Sequence, residues 1–519
     1  MLKSLIKSLR ILTAFIVLLF LGYAIGLVWP MPKLESPPKA DYVWVRHVNV
    51  VDVETGDILQ NQDIHIHNNR IIYLGESKPL VQNDVLAIDG SEKFVIPGLW
   101  DMHTHSNQHS EWLHHPLYVA NGVTGVRDMS GQLNVRDSYW VGSRERLKWN
   151  TELEQNKRVT PRYVLQSSYQ MDGPTSIPDG FPDFFKLQNT SQVDSLLQYY
   201  KNEEVDFIKV YQQLSPETYR RMAKEAPKYG IHLAGHKPMF LSLEESIDLG
   251  QKSFEHGRIF LFEAFPNADK LRDPKDWKGQ FSSLKKSMVH DFDTAIAKNL
   301  MQQMVEKKAY WTPTLQTLKF EAKAHEPDFR ENPNLEYVTM VRKKLWWGMD
   351  ANNNSKRNLK GENIGVSNAF YEAARKQVKM ASDMGVPLLA GTDVTDSYIF
   401  AGFSLHDELQ DLVKCGLSNL EALQTATLVA AKYADLDSDY GSIKSGKTAD
   451  LVLLDSNPLI DISNTKKISG VLLNGVYYDK DKLEELRDFT RTISSNYHMN
   501  VKTFHSMISS PLIRVQFAD

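Results

Sequence analysis

Between residues 99 and 393 short apolar runs alternate with helical patterns, and this alternation constrains the fold more than any other feature. The runs lie around 99–105, 122–128, 162–168, 206–211, 231–236, 253–256, 309–315 and 386–393, each bounded by turn residues. Stretches such as SPETYRRMAKEAPKYG (215–230) and LEESIDLG (243–250) separate them and read as helices. Strands joined through helices return to the same end of a sheet and pair in parallel. Eight such units predict an α/β fold, a (β/α)8 TIM barrel over residues 96–435. The segments 257–308 and 349–363 are longer than a barrel needs and read as lid or rim insertions.

The flanks follow another pattern. From Val43, the runs VWVRHVNVVDV, QDIHIH, RIIYLG, VLAIDG and KFVIPG succeed one another with turn signals between them. ADLVLLD (449–455) and VLLNGVYY, with Asn474-Gly475 as a two-residue hairpin turn, repeat the pattern near the C-terminus. A small β-sandwich is therefore expected from residues 43–95 and 436–482 together, followed by a partly helical tail over 483–519.

The N-terminus differs in kind. Lys3, Lys7 and Arg10 precede ILTAFIVLLFLGYAIGLVW (11–29), which carries no charge. At ~1.5 Å per residue this run is long enough to cross a bilayer. Residues 1–30 are read as a transmembrane signal anchor, with the remainder exported to the periplasmic or extracellular side. The alternative is a signal peptide cleaved at Ala24-Ile25-Gly26, releasing a secreted protein. The apolar run continues past that site, which favours the anchor. The Pro-rich residues 31–42 follow as a stalk.

Composition narrows the chemistry. A net charge of −4 without a long basic run gives no sign of nucleic acid as a partner. The single cysteine, Cys415, excludes an intrachain disulfide and any cysteine-based zinc cluster. A metal must be held by His, Asp, Glu or Lys.

Residues 441–448, GSIKSGKT, match the phosphate-cradling G-x-x-x-x-G-K-T pattern. A phosphate loop needs a strand before it and a helix straight after. Here a helical stretch precedes the motif and the short run ADLVLLD follows it. The order of elements excludes an ATPase, and Lys447 is read as a solvated loop charge.

The candidate ligands fall where barrel chemistry sits, at strand C-termini. His103 and His105 end the first strand, His236 the fifth, His256 the sixth and Asp393 the eighth. Strand alternation points His103 and His105 to one side, about 7 Å apart along the backbone, where both can grip one metal. Each has a plainer reading alone: a core histidine, or an N-cap for Asp393. His65 and His67 form a second His-x-His, but they alternate with Ile64 and Ile66 beside a turn and are read as facing water. His109, His114 and His115 either line the pocket or decorate a helix. Lys209 stands between apolar Ile208 and Val210; burial favours its neutral amine, which can add CO₂ to give a carbamate that bridges two cations. The alternative is a lysine reaching to the barrel rim.

The motifs VIPGLWDMHTH, GVTGVRD, DFIKVY, GH at 235–236, EHG at 255–257, AGTD at 390–393, SLHDEL at 404–409 and GSIKSGKTADLVLLDSNPL at 441–459 together resemble the amidohydrolase superfamily. Within it they resemble the imidazolonepropionase-related, prolidase-like branch, over roughly Val43 to Tyr478. The resemblance implies a metal-bearing barrel capped by a sandwich built from both chain ends. It also implies that the Gly-Lys-x-Ala-Asp turn is the sandwich re-entry. Carried over, His103, His105 and Asp393 hold the more buried divalent ion, His236 and His256 a second, and Lys209 as its carbamate bridges them, with two zinc ions per chain expected. Two departures stand out: Leu428-Val429-Ala430-Ala431 replaces the usual Asn-Pro-Ala, and the stretch between His256 and Asp393 is long.

The expected function is metal-assisted hydrolysis of a C–N bond in a small substrate, such as a dipeptide or an N-acyl amino acid. Asp393 accepts a proton from water and passes it to the leaving nitrogen. Tyr211 shares the face of Lys209 and is placed to bond the tetrahedral oxyanion or a substrate carboxylate, and Arg258 stands in the same relation to His256. Alternatives are a mononuclear cyclic amidohydrolase, a lactonase or phosphotriesterase on the same metals, and an inactive membrane-tethered binding module. The oligomeric state is not legible.

Overall fold

The computed structural model describes residues 2–78, 85–275, 277–359 and 365–518. Residues 360–363 of the expected second insertion lie outside them.

Both flanks contribute to one sheet. Its strands are β1 (Tyr42–Val51), β2 (Ile58–His67), β3 (Arg70–Glu76), β4 (Leu86–Asp89) and β5 (Phe94–Pro97) from the N-terminal side. From the C-terminal side come β13 (Leu451–Leu454), β14 (Ile468–Leu473) and β15 (Val476–Asp479), in the spatial order β15-β14-β13-β5-β1-β2-β3 with β4 also on β1. The first half of β1 pairs with β4 and the second half with β5, the change falling beside a bulge at His47, whose φ is +55°. The bulge bends the sheet over its own core, where Val45, Val48, Ile64, Val95 and Leu453 are fully buried. Asn474 and Gly475, both at positive φ, turn β14 into β15.

The barrel strands are β6 (Leu99–Thr104), β7 (Val123–Asp128), β8 (Arg162–Leu165), β9 (Phe207–Val210), β10 (His232–Gly235), β11 (Ser253–Glu255) and β12 (Tyr310–Thr312), with the extended residues 386–394 as the eighth. β6 to β8 and β9 to β12 form two parallel ladders. Ser168 N–H donates to Phe207 O at 3.0 Å, joining β8 to β9. Leu389 N–H donates to Trp311 O at 2.9 Å and Met102 N–H to Ala390 O at 2.9 Å, so the eighth segment bridges β12 and β6 and the circle closes. The expected TIM barrel is present. Trp311, Phe254 and Val126 are fully buried in the main core between barrel and helices.

The false phosphate loop is a staple between barrel and sheet. Lys447 is half-buried, not solvated: its Nζ donates to Asp437 O at 2.6 Å, Tyr440 O at 3.1 Å and Ser442 Oγ at 2.8 Å. Three residues on, Asp450 accepts from Arg162 Nε of β8 at 2.6 Å and from Asn474 N–H of the hairpin turn at 2.9 Å. His65 and His67, likewise, are half-buried, His65 against Trp44 and Tyr73 and His67 stacked on Tyr42.

The first helix, α1 (Leu2–Val28), is long and apolar enough to cross a membrane, with a mean hydropathy of 2.6, and almost all of it is exposed. The Pro-rich segment after it is not a free stalk. Trp112 Nε1 donates to Pro32 O at 2.8 Å, Asn156 Nδ2 to Pro37 O at 2.9 Å, and Ala40 N–H to Gly475 O at 3.0 Å. The tail forms helices Lys480–Ser495, Tyr497–Ser509 and Pro511–Ala518, which pack on the barrel.

Replacing Lys447 by Met leaves three acceptors without their donor. The Lys447→Met variant is expected to lose about 1–2 kcal/mol of stability. Differential scanning calorimetry should record a lower Tm, and added ATP should shift the Tm of neither protein.

Candidate metal centre

The C-terminal ends of β6, β9, β10, β11 and the eighth strand surround a cavity of about 370 Å³. His103, His105, Lys209, His236, His256 and Asp393 all line it, as do Tyr211 and Arg258. The structure therefore brings every expected site residue to one place.

Asp393 is the hub. Its Oδ1 lies 2.8 Å from His105 Nε2 and 3.3 Å from His103 Nε2, and its Oδ2 lies 3.5 Å from His256 Nδ1. His256 Nε2 faces His236 Nε2 at 2.9 Å. One donor atom each from His103, His256 and Asp393 fall within 4.8 Å of one another, close enough for a single cation to meet all three.

Backbone geometry explains how these groups converge. Neighbouring residues on a strand point to opposite sides, yet both Glu255 and His256 face inward. His256 sits at φ +73° and Asp393 at φ +67°, left-handed values that side chains rarely adopt. That turn at the strand end redirects each side chain into the cavity. The strained loop at Asp393 is held by Asp101, which accepts from Thr392 Oγ1 at 2.6 Å and Thr392 N–H at 3.0 Å, and by Asp393 N–H donating to His103 O at 2.8 Å.

Glu255 was visible in the sequence only as a letter of EHG, and it organises the floor. It is fully buried, lies 2.9 Å from His103 Nδ1 and accepts from Arg127 Nη2 through both oxygens at 2.9 and 2.8 Å. Burial alone would raise its carboxyl; the Arg127 charge and the His103 bond hold it down to about 2. An ionised Glu255 holds a proton on His103 Nδ1, so Nε2, turned toward Asp393, is the atom left to meet a cation. That Nε2 is buried and has no hydrogen-bond partner, an arrangement suited to a metal ligand.

Protonation states suit ligation as well. Burial, reinforced by the Lys209 charge, pushes His105 down to about 4. Burial takes His256 to about 3 and His236 well below the usual range, so all three are neutral donors at pH 7. Burial would raise the Asp393 carboxyl, but the neighbouring His103 charge and the bond from His105 keep it well below the ordinary value. Burial pulls Lys209 down to about 8 against the pull of Asp393 and Glu255, so a sizeable neutral fraction exists near neutrality.

Tyr211 packs its ring 4.0 Å from that of His236, and burial raises its phenol, which stays protonated. Arg258 is not a free cation: its guanidinium is paired with Glu321. Other lining groups had no signal in the sequence. Lys237 pairs with Glu263 at 2.8 Å; Trp140, Trp346 and Gln516 come from loops and the tail. His109 and His114 do neither of the things expected of them: they are buried beside a separate apolar cavity, while His115 is buried against Tyr163.

Comparison with known proteins supports this picture. Residues 208–477, more than half of the chain, match the amidohydrolase family. An adenine deaminase of Staphylothermus marinus is 26% identical over 261 residues, covering 46% of this chain but only 40% of that protein. Among solved structures, a bottromycin amidohydrolase superposes with a TM-score of 0.68 at 21% identity, over 88% of this chain and 91% of that one. A Xaa-Pro dipeptidase with bound methionine gives 0.59 at 18% identity, over 84% and 100%. At these identities the structural likeness concerns the fold.

Glu255→Gln removes one charge of a fully buried pair and the acceptor that orients His103. The expected loss is about 3–5 kcal/mol of stability, together with about 10–100-fold in metal affinity. Thermal unfolding and a competitive zinc titration measure the two effects separately.

Proposed function

We propose that this chain, which belongs to the amidohydrolase family and is a metal-dependent hydrolase of C–N bonds, cleaves an amide of a small carboxylate-bearing substrate such as a dipeptide or an N-acyl amino acid. The observation that carries the reading is the convergence of His103, His105 and His256 on the Asp393 carboxylate, with His236 and Lys209 lining the same cavity. In this reading His103, His105 and Asp393 hold one divalent ion, expected to be zinc, and His236 and His256 a second. Lys209, once its neutral amine had added CO₂ and lost a proton, would supply the anionic oxygens of a carbamate to the same centre. When bound, the metal supplies hydroxide near neutral pH and polarises the scissile carbonyl.

The chain's own groups do the rest. Asp393, kept ionised by its histidines, takes the proton of the attacking water and delivers it to the leaving nitrogen. Tyr211, neutral and fixed against His236, donates to the oxygen on which charge develops. Arg258 receives the substrate carboxylate by exchanging it for Glu321, its present partner. The deaminase relative fits the same scheme, since loss of ammonia from an amidine is also hydrolysis at a C–N bond.

A mononuclear centre is the second reading. What favours it is that, among the described residues, His103, His256 and Asp393 form the one group of three whose donor atoms all lie within 4.8 Å of one another.

We further read α1 as a retained anchor that keeps the catalytic body on the non-cytoplasmic face. What supports retention is that its C-terminal turns are built against the body. A Cβ on Gly26 would stand 2.9 Å from Val501 Cγ2, Tyr23 Oη lies 2.8 Å from His505 Nδ1, and Trp29 stacks on His498 at 5.1 Å.

Elemental analysis of the full chain, purified with bicarbonate present, separates the two metal readings. Two equivalents of zinc, falling on Lys209→Ala, support the bridged pair; one equivalent indifferent to Lys209→Ala supports the mononuclear site. In either case Asp393→Asn is expected to lower kcat on N-acyl amino acids or dipeptides by about 10²–10⁴-fold. Full activity in that variant would remove Asp393 from the mechanism.

A further inference from the structure

The same segments that wall the catalytic cavity also carry the apolar surface beside α1. Helix Tyr497–Ser509 receives the membrane helix: Val501 meets Gly26, and Lys502 Nζ donates to Leu27 O. Tyr497, Val501, Phe504 and Ile508 recur at helical spacing, so they share one face. Tyr497, Phe504 and Ile508 are exposed. Val341 N–H donates to Asn500 Oδ1 at 3.1 Å, which seats the segment Met340–Asn358 against the same helix. That segment exposes Met340, Leu345 and Met349, next to the exposed Lys344. Among the described residues, six of the fourteen large apolar side chains exposed beyond α1 lie on these two elements.

The segment Met340–Asn358, and the helix that follows Tyr497–Ser509, also reach the active site. Trp346, adjacent to Leu345, lines the catalytic cavity, and the Arg342 guanidinium packs over its ring at 4.8 Å. Gln516, on the helix Pro511–Ala518 that follows Ser509, lines the cavity too. Trp29 ends the apolar run of α1 and stacks on His498, the arrangement of an aromatic ring at headgroup depth. A bilayer spanned by α1 therefore has its surface at the level of helix Tyr497–Ser509. The exposed Leu, Ile, Met, Tyr and Phe side chains beside a lysine fit that surface, as on an interfacial helix.

We propose that the mouth of the catalytic cavity is apposed to the bilayer, and that the enzyme draws its substrate from it: an amide whose acyl part is a long lipophilic chain. The idea rests on the hydrolase reading and on retention of α1. It narrows the substrate class to amphiphiles whose polar amide end enters the cavity past Trp346 while the chain stays in lipid. Each methylene held in lipid favours partition by about fourfold, so substrate supply at the membrane exceeds that in water for long chains and not for short ones.

The test uses the full chain in nanodiscs of zwitterionic lipid, with and without anionic lipid. A polarity-sensitive fluorophore is placed on Leu345→Cys, Ile508→Cys or, as a control on the sheet-bearing part, Ile460→Cys, each in a Cys415→Ser background. Transfer from detergent to nanodiscs containing brominated lipid is expected to quench the labels at 345 and 508 and spare the one at 460. Labels at 345 and 508 that remain unquenched overturn the apposition. So does shielding that depends on protein concentration, because the face then packs on a second copy.

The substrate arm compares N-acetyl, N-octanoyl and N-myristoyl amino acids. In nanodiscs kcat/KM is expected to rise with chain length. Leu345→Asp with Ile508→Asp should lower it about tenfold for the myristoyl substrate, through KM, the order of losing one buried aliphatic side chain, and leave the acetyl substrate unchanged. No dependence on chain length overturns the proposed substrate class. If no amide of any length is cleaved by zinc-loaded protein, the hydrolase reading fails instead, while the quenching result still decides the apposition.

Discussion

A guanidinium sealed from water holds the barrel interior together. Arg127 reaches across from β7 and donates to Met102 O of β6 at 2.6 Å, to Ser253 Oγ of β11 and to Tyr433 Oη at 2.8 Å, and to Glu255 through both carboxylate oxygens. A buried charge is tolerated only when its donors are satisfied, and here the partners are supplied by strands on different sides of the barrel. Glu255 then passes the constraint upward by fixing the tautomer of His103. The ligand cluster thus stands on a polar crossbeam, and the orientation of its first histidine is set from beneath, independent of any substrate.

The upper layer is held differently. His256 and Asp393 each occupy a left-handed backbone conformation, which costs on the order of 1–3 kcal/mol per residue. Asp101, Thr392 and Thr314 take up the surrounding polar groups, Thr314 by a 2.8 Å contact to His256 Nδ1. Without those bonds the strand ends would relax and the two side chains would swing out of the cavity. Strain at the ligands and hydrogen bonds behind them form one unit.

Much of this was legible in the chain. Periodicity showed the barrel, because parallel strands buried on both faces read as short apolar runs between helices. The ligands were legible because they end those runs. Glu255 and Arg127 were not, since nothing local distinguishes a buried ion pair from a surface one; its partners come from strands far apart in sequence. The role of Lys447 was misread for the same reason: its acceptors are backbone carbonyls, which every sequence contains. The tail looked inert because helical periodicity says that a face is apolar but not what it covers. Arg258 was placed at the site from its relation to His256, but its partner Glu321, some sixty residues on, was beyond the reach of local patterns.

The long excursion between β12 and the eighth strand has a consequence for how such an enzyme changes over time. Thr312 and Leu388 sit on neighbouring strands, and the chain between them only has to leave and return. The candidate ligands end strands, whereas the detour adds Thr317, Glu321 and Trp346 to the same cavity wall, so a change in the detour leaves the strand ends in place. Length, polarity and shape of the detour can drift through many generations while the chemistry beneath stays intact. Descendants of one catalyst can in this way come to inhabit different nutritional niches by rewriting a single loop.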